Sequence, residues 1–429
     1  MSEQQEPVPS TVGSELNEAV SVARPAGDIL NGRRVILGVT GGIAAYKSCG
    51  LVTRLRERGA TVRVVMTEGA TWFVHETTFA SLSGNEVGTK MFGAELGDEL
   101  QHIRLQDYGE VMLVAPTTAN CLAKVAHGIC DDLLTTSIVA ATYPVILAPA
   151  MNYQMWANPI VQGNVAKLRA AGYGVVMPEH GRLASGAIGT GRLASQEFLI
   201  GAIEMALLGG LPQQDLAGKK IVVSAGPTRE PIDPVRFVSN GSTGRQGYAI
   251  AAEAQQRGAS VTLVSGPVEI KSPPGVDLVC VQTNAQMKQA VLAAVQGADV
   301  FISAAAPADF RPVEVADTKI KKADLAEGLG LQLEKTDDIL LAVGQQARPP
   351  VLVGFAAETG RAVEKGAGKL KAKDLDLLVI NDLSEEGCGF GTDTNRVVIL
   401  RRDGQQRALP LMSKQAVAAA LFDEINKSR

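Results

Sequence analysis

The stretch RRVILGVTGGIAAYKSCGLVTRLRERGATVRVVMT, residues 33–67, decides the fold. It opens on a β-branched run, RRVILGVT, and turns through glycines. It then takes a helical pattern, AAYKSCGLVTRLRERG, and closes on a second run, ATVRVVMT. A strand, a Gly-rich turn, a helix and a strand in that order predict a parallel sheet covered by helices. Further buried strands are expected at EVMLVAP (110–116), YPVILAP (143–149) and YGVVMP (173–178), each ending in proline or a polar turn. In an open α/β sheet the ligand sits beyond the carboxyl ends of the strands, so the chemistry is expected just after these runs.

At LLGGLPQQDLAGKK (207–220) the pattern pauses in Gly, Pro and Gln and then restarts as KIVVSAGPT. This predicts a first domain over 32–210, a linker over 211–218 and a second domain over 219–429. The polar segment 1–31 reads as a disordered extension. The second half repeats the logic of the first, since GYAIAAEAQQRGASVTLVSG echoes YKSCGLVTRLRERGATVRVVMTEG. That echo fits either duplication or the ordinary crossover of a doubly wound sheet. The fold class expected is α/β, two tandem doubly wound Rossmann-like domains, the first flavodoxin-like. More strands follow at ADVFISAA, PVLVGFAAET and DLLVIND, and RVVILRRDGQQRALPL reads as a hairpin turning at Asp403-Gly404.

The 429 residues carry 41 basic and 45 acidic side chains, a balance without the footprint of a nucleic-acid or anionic-membrane binder. Five cysteines lie scattered without CxxC spacing, which argues against a disulfide framework and a structural zinc site and favours a reducing cytoplasm. No apolar run approaches the roughly 20 residues of a membrane span.

GVTGGIAAYK (38–47) puts Thr40, Gly41 and Gly42 between strand and helix, where backbone N–H groups suit an anion. It is neither a GxGxxG fingerprint nor a P-loop, so NAD and nucleoside triphosphates are not the natural first reading. Of four histidines, His75, His127 and His180 read as surface or turn residues, and His102 differs by its company. VTGGIAAYK, His102, APTTAN (115–120), DDLLTT (131–136) and PAMNYQMW (149–156) together resemble the homo-oligomeric flavin-containing cysteine decarboxylases, over residues 32–205. The resemblance implies that FMN is held by Thr40, Gly41, Gly42, Ile43 and Ala44, with Thr67, Thr117 and Thr118. It also implies that His102 and Asn152 act at the substrate. The chemistry is reasonable: a carboxylate β to a thiol leaves as CO2 only once oxidation at sulfur has opened an electron sink. His102 suits the proton transfers, and Asn152 can hold a carboxylate without a charge that would oppose CO2 loss.

GRLASGAIGTGRL (181–193) matches the substrate-covering flap of that family, where many members carry an ACG triplet. Here Ser185 stands in place of the cysteine that supplies a proton in the final reduction. A thiol with pKa near 8.5 gives up a proton far more readily than an unactivated hydroxyl. Either another group donates, or the reaction stops at the oxidised enethiol.

SAGPTREPIDPVRFVSNGSTGRQG (224–247) joins a strand to a helix by a long polar loop, and it resembles the phosphopantothenate-cysteine ligase signature. AAPADFRP, TKIKK, KTDDIL, GFAAET and KLKAKD match further segments of that family in order, so the resemblance covers 217–427. It implies CTP contacts at Ser303, Ala304, Ala305, Asp309, Lys319, Asp337, Asp338, Ile339, Leu340, Phe355, Lys369 and Lys373. Asn240 matches the asparagine associated with an acyl-cytidylate. Lysines suit charge spread over phosphoryl oxygens. Arg245 occupies a position where lysine is commoner, and phosphate binding is expected to survive the exchange.

Together the resemblances imply a bifunctional enzyme of coenzyme A synthesis. Phosphopantothenate is ligated to cysteine with CTP and Mg2+, the metal ligands being unassigned, and FMN-dependent decarboxylation then gives 4'-phosphopantetheine. They further imply a cytoplasmic homo-oligomer, a dodecamer, with small-molecule substrates and neither nucleic acid nor membrane as partner. The rival readings are a peptidyl-cysteine decarboxylase or flavin prenyltransferase, and a regulatory flavoprotein subunit.

Overall fold

The computed structural model describes residues 27–91, 101–321, 328–347, 349–358, 362–382, 384–389 and 391–427. The first half forms a six-stranded sheet of β1 (Arg34–Val39), β2 (Thr61–Met66), β3 (Val87–Gly88), β4 (Val111–Thr117), β5 (Val145–Pro149) and β6 (Gly174–Val175). Its order is β3-β2-β1-β4-β5-β6 and every pairing is parallel. That is the Rossmann order; without the two-residue β3 it reduces to the flavodoxin order. β1, β4 and β5 are buried almost end to end, as a sheet covered on both faces requires. β7 (Glu179–Arg182) and β8 (Ile188–Arg192) form an antiparallel hairpin apart from the sheet.

The second half is an eight-stranded sheet built on β9 (Lys220–Ala225), β12 (Ser260–Ser265), β13 (Asp277–Cys280), β14 (Val300–Ser303), β17 (Val351–Glu358), β18 (Leu377–Asp382), β20 (Val397–Arg401) and β21 (Gln406–Ala408). Its order is β13-β12-β9-β14-β17-β18-β20-β21. The strands are parallel as far as β18 and antiparallel beyond it. The β20–β21 hairpin turns at Gly404, whose φ of +87° favours glycine. Three small ribbons decorate the loops: β10 (Arg229–Pro231) with β11 (Phe237–Ser239), β15 (Phe310–Pro312) with β16 (Leu333–Lys335), and β19 (Thr394–Asn395) with β22 (Met412–Ser413).

The halves pack on one another. Helix Gln196–Leu207 of the first lies against helix Lys414–Lys427, and apolar residues from both belong to one continuous core. Residues 28–30, which the sequence places in the disordered extension, are buried in this structure. Asp28 bridges Leu411, while Ile29 and Leu30 are apolar and sit in the shared core. Residues 1–26 of the extension lie outside the described residues. Among the described residues no helix is long and apolar enough to cross a membrane.

Candidate active sites

In the first half, three strand ends converge through threonines. The Thr40 hydroxyl donates to the Pro116 carbonyl at 2.8 Å and accepts from Thr118 N–H at 2.9 Å, tying the turn after β1 to the end of β4. Thr117 donates to Val114 O at 2.7 Å and accepts from Ala148 N–H at 3.1 Å, tying β4 to β5. Thr118 caps helix Ala119–Ala126, and Thr67 stands at the end of β2 with its N–H on Val39 O at 3.1 Å. Gly41 is required here. A Cβ at that position would stand 2.6 Å from the Gly69 carbonyl, so any larger residue would push the two loops apart. Gly41 therefore lets the turn after β1 pack directly on the turn after β2. Ile43, exposed in the following short helix, offers apolar surface beside it.

Asn152 caps helix Tyr153–Ala157, its Oδ1 accepting from Gln154 N–H at 2.8 Å, and its side chain faces outward. The β7–β8 hairpin is rooted on this segment. Met151 N–H donates to Gly191 O at 2.9 Å, and Gly189 lies against the Tyr153 ring. Ser185 is exposed at the hairpin tip, where Gly186 takes φ +86° and its N–H reaches Leu183 O at 2.9 Å. The flap and the PAMN segment are thus one unit, a link that sequence spacing did not reveal.

His102 lies at the start of helix Gln101–Tyr108, which runs into β4. A helix feeding a parallel strand begins at the strand's carboxyl edge, so His102 is at the same edge as Thr40 and Thr117. Among the described residues its Nδ1 is buried without a hydrogen-bond partner. An orphaned ring nitrogen there fits a site awaiting a ligand. The other histidines read as the sequence suggests: His75 caps a helix through Nδ1, His127 meets the Ala123 carbonyl, and His180 is exposed.

In the second half a cleft of about 740 Å³ opens over the carboxyl ends of β14, β17 and β18. Asn240, Ser303 to Ala305, Asp309, Asp337 to Leu340, Phe355, Lys369 and Lys373 all line it, eleven positions beside Asn240 brought together from five segments. Asn240 Nδ2 donates to Pro307 O at 2.8 Å and Ala306 O at 3.3 Å, which fixes its amide. Lys369 pairs with Glu358 at 2.5 Å and Lys373 with Asp338 at 2.8 Å. Asp338 also caps helix Ile339–Gly344. Burial pushes its carboxyl up, but the Lys373 ammonium and the Leu341 N–H outweigh burial and hold it below its ordinary value.

Lys319 is exposed and is not part of the cleft wall. Its neighbour Ile320 is gripped on both sides: Asp233 Oδ2 accepts from Ile320 N–H at 3.2 Å, and Arg236 donates to its carbonyl. The TKIKK segment is therefore tethered to the PIDPVR loop. The sequence reading missed Lys414, Asn395 and Asn381, which also line the cleft. Among the described residues no three His, Cys, Asp or Glu side chains gather as a metal site.

A family profile described as Flavoprotein matches residues 24–208, and one described as DNA/pantothenate metabolism flavoprotein C-terminal domain matches 216–428. The coenzyme A biosynthesis bifunctional protein CoaBC of Bacillus subtilis is 46% identical over 92% of this chain and 97% of its own length. The protein of that name from Escherichia coli is 42% identical over 92% and 97%. A crystal structure of the C-terminal domain of such a CoaBC protein covers 50% of this chain and 96% of its own, with 39% identity and a TM-score of 0.43. By these full-length identities the chain belongs to the family of coenzyme A biosynthesis bifunctional CoaBC proteins.

Proposed function

We infer that this chain makes 4'-phosphopantetheine in two steps: CTP-dependent ligation of 4'-phosphopantothenate to cysteine within residues 219–429, and FMN-dependent decarboxylation within 32–210, with 211–218 as linker. The observation that carries this reading is the gathering of Asn240 with eleven of the twelve expected CTP residues, all but Lys319, in one cleft. In the ligase half the acid's carboxylate attacks the nucleotide's α-phosphorus and pyrophosphate leaves. The amine of cysteine then displaces CMP from the acyl-cytidylate. Lys369 and Lys373, drawn from Glu358 and Asp338 onto the triphosphate, spread its charge, and Lys319 reaches in from its tethered loop. Asn240, oriented by two carbonyls, positions the acyl group. Mg2+ arrives with the nucleotide, as is usual for a cation that keeps substrate phosphates as ligands.

In the decarboxylase half, FMN, when bound, supplies the two-electron oxidation that opens the electron sink at sulfur. Thr40, Gly41, Gly42, Ile43, Ala44, Thr67, Thr117 and Thr118 hold it. His102 moves the thiol proton, Asn152 holds the carboxylate, and the flap carrying Ser185 excludes water. We place the enzyme in the cytoplasm as a homo-oligomer, a dodecamer, whose contacts cover apolar side chains such as Trp72 and Ile160, 85% and 75% exposed in the single chain. The ligase reading is tested by pyrophosphate release from CTP and Mg2+. Release dependent on 4'-phosphopantothenate is expected, and release indifferent to that acid would contradict it.

A further inference from the structure

β10 and β11 form a hairpin whose turn, residues 232–236, carries Asp233 and Arg236, and whose second strand leads directly into Asn240 on the cleft wall. The turn closes on itself, Ile232 N–H donating to Arg236 O at 2.8 Å. The first strand is anchored as well. Glu230, buried in it, accepts from Asn284 N–H at 2.7 Å, and Asn284 lines the same cleft.

Asp233 is 2% exposed, and its two carboxylate oxygens serve different segments. Oδ1 accepts from Val235 N–H and Arg236 N–H, both at 2.8 Å, which is all that an aspartate turn needs. Oδ2 accepts from Arg236 Nε at 2.9 Å, from Arg236 Nη2 at 2.5 Å and from Ile320 N–H at 3.2 Å. Arg236 Nη2 also donates to Ile320 O at 2.5 Å. One buried carboxylate and its guanidinium thus hold both backbone groups of Ile320, through charge-assisted hydrogen bonds.

The same turn makes a second tie, Ala316 N–H donating to Ile232 O at 3.0 Å. Residues 316–321 form neither helix nor strand, so their course depends on such ties. Lys319 stands exposed between the two, beside the one at Ile320. A segment held beforehand loses less conformational entropy when its lysine engages a phosphate.

We propose that Asp233 is a positioning residue of the ligase half: together with Arg236 it fixes the backbone at Ile320 and so sets where Lys319 meets the triphosphate. This rests on the ligase reading above, and the test separates the two. The full-length protein, in excess, is given CTP, Mg2+ and 4'-phosphopantothenate without cysteine. The rate constant of pyrophosphate release in a single turnover and the CTP concentration giving half the maximal rate are measured. Asp233→Asn keeps an acceptor for the turn but sets an N–H2 against the donors now on Oδ2. The rate constant is expected to fall about tenfold or more with half-saturating CTP unmoved, the pattern of an interaction made only in the transition state. In Lys319→Gln protein the same substitution is expected to add no further loss, because it acts only through that lysine. A merely structural role for Asp233 would instead multiply the two losses. Multiplied losses, a wild-type rate constant in Asp233→Asn, or a shifted half-saturation would each overturn the proposal. Should Asp233→Asn not fold, Arg236→Lys, which loses the fork onto Ile320, is put through the same two comparisons with the same criteria. Wild-type release indifferent to 4'-phosphopantothenate would overturn the ligase reading itself.

Discussion

Gly191 and Met151 touch so closely that a Cβ on Gly191 would stand 2.2 Å from the Met151 carbonyl oxygen. The root of the flap is thereby locked to the residue before Asn152. Gly191→Ala must shift one against the other, and a displacement near 1 Å at a reacting centre costs about 100-fold. Decarboxylation of phosphopantothenoylcysteine should fall by about 10- to 100-fold with ligation retained. Steady-state rates of the two half-reactions check this, and an unimpaired decarboxylation would show the flap root to be dispensable.

Ser185 stands exposed at the flap tip, and among the described residues no hydrogen bond activates its hydroxyl. Wild type is expected to yield the saturated thiol, and Ser185→Ala to keep at least part of the reductive step. Product mass decides: a wild-type product two hydrogens lighter than phosphopantetheine sinks the first clause. Loss of reduction alone in Ser185→Ala makes the serine the donor.

The two chemistries are proposed over separate sheets, so they should separate genetically. His102→Asn should lower decarboxylation by about 100-fold or more and spare ligation. Lys319→Gln should lower ligation by about 100-fold or more and spare decarboxylation. A folded variant that lost both activities would make separate sites untenable.

Lys414 also predicts a pH dependence. Burial, then the Arg245 guanidinium, lower its ammonium to about 8, against the opposing pull of Asp393 and Cys388. A lysine held below its unfolded value opposes folding while it is charged, so this opposition fades as pH passes from about 8 to about 10 and the fold should gain stability over that window. The gain should be smaller in Lys414→Met, read as Tm against pH. Equal pH dependence of Tm in the two proteins would remove the burial of this charge from the stability of the fold.

The junction between the halves should be a stability element. Arg58 Nη2 meets Asp28 at 2.8 Å and Glu204 at 2.6 Å, both carboxylates being almost fully buried. Arg58→Ala leaves them without that cation, a loss of about 3–5 kcal/mol by analogy with broken buried pairs. Thermal denaturation should show a clear fall in Tm, and an unchanged Tm would mean that water reaches both carboxylates.

Much of this architecture is legible locally, because buried parallel strands write themselves as β-branched runs. VILGV, VRVVM and VMLVAP lead to β1, β2 and β4, and the Thr40 and Thr117 turns follow at their ends. The two-residue β3 has no such run to announce it. Residues 28–30 look like tail because their burial depends on Leu411, far along the chain. Lys414 is hidden for the same reason. Its neighbour Ser413 is fixed by Glu204, 209 residues away, and no local periodicity encodes that contact.

Ligation and decarboxylation are both assigned to this one chain. The most direct test is a one-pot reaction of purified protein with 4'-phosphopantothenate, CTP, Mg2+ and cysteine labelled with 13C at the carboxyl carbon, followed by mass spectrometry. Unlabelled 4'-phosphopantetheine is expected, formed only when CTP is present, with the label recovered as 13CO2. Accumulation of fully labelled phosphopantothenoylcysteine by the FMN-loaded protein, or no CTP-dependent product at all, would contradict it.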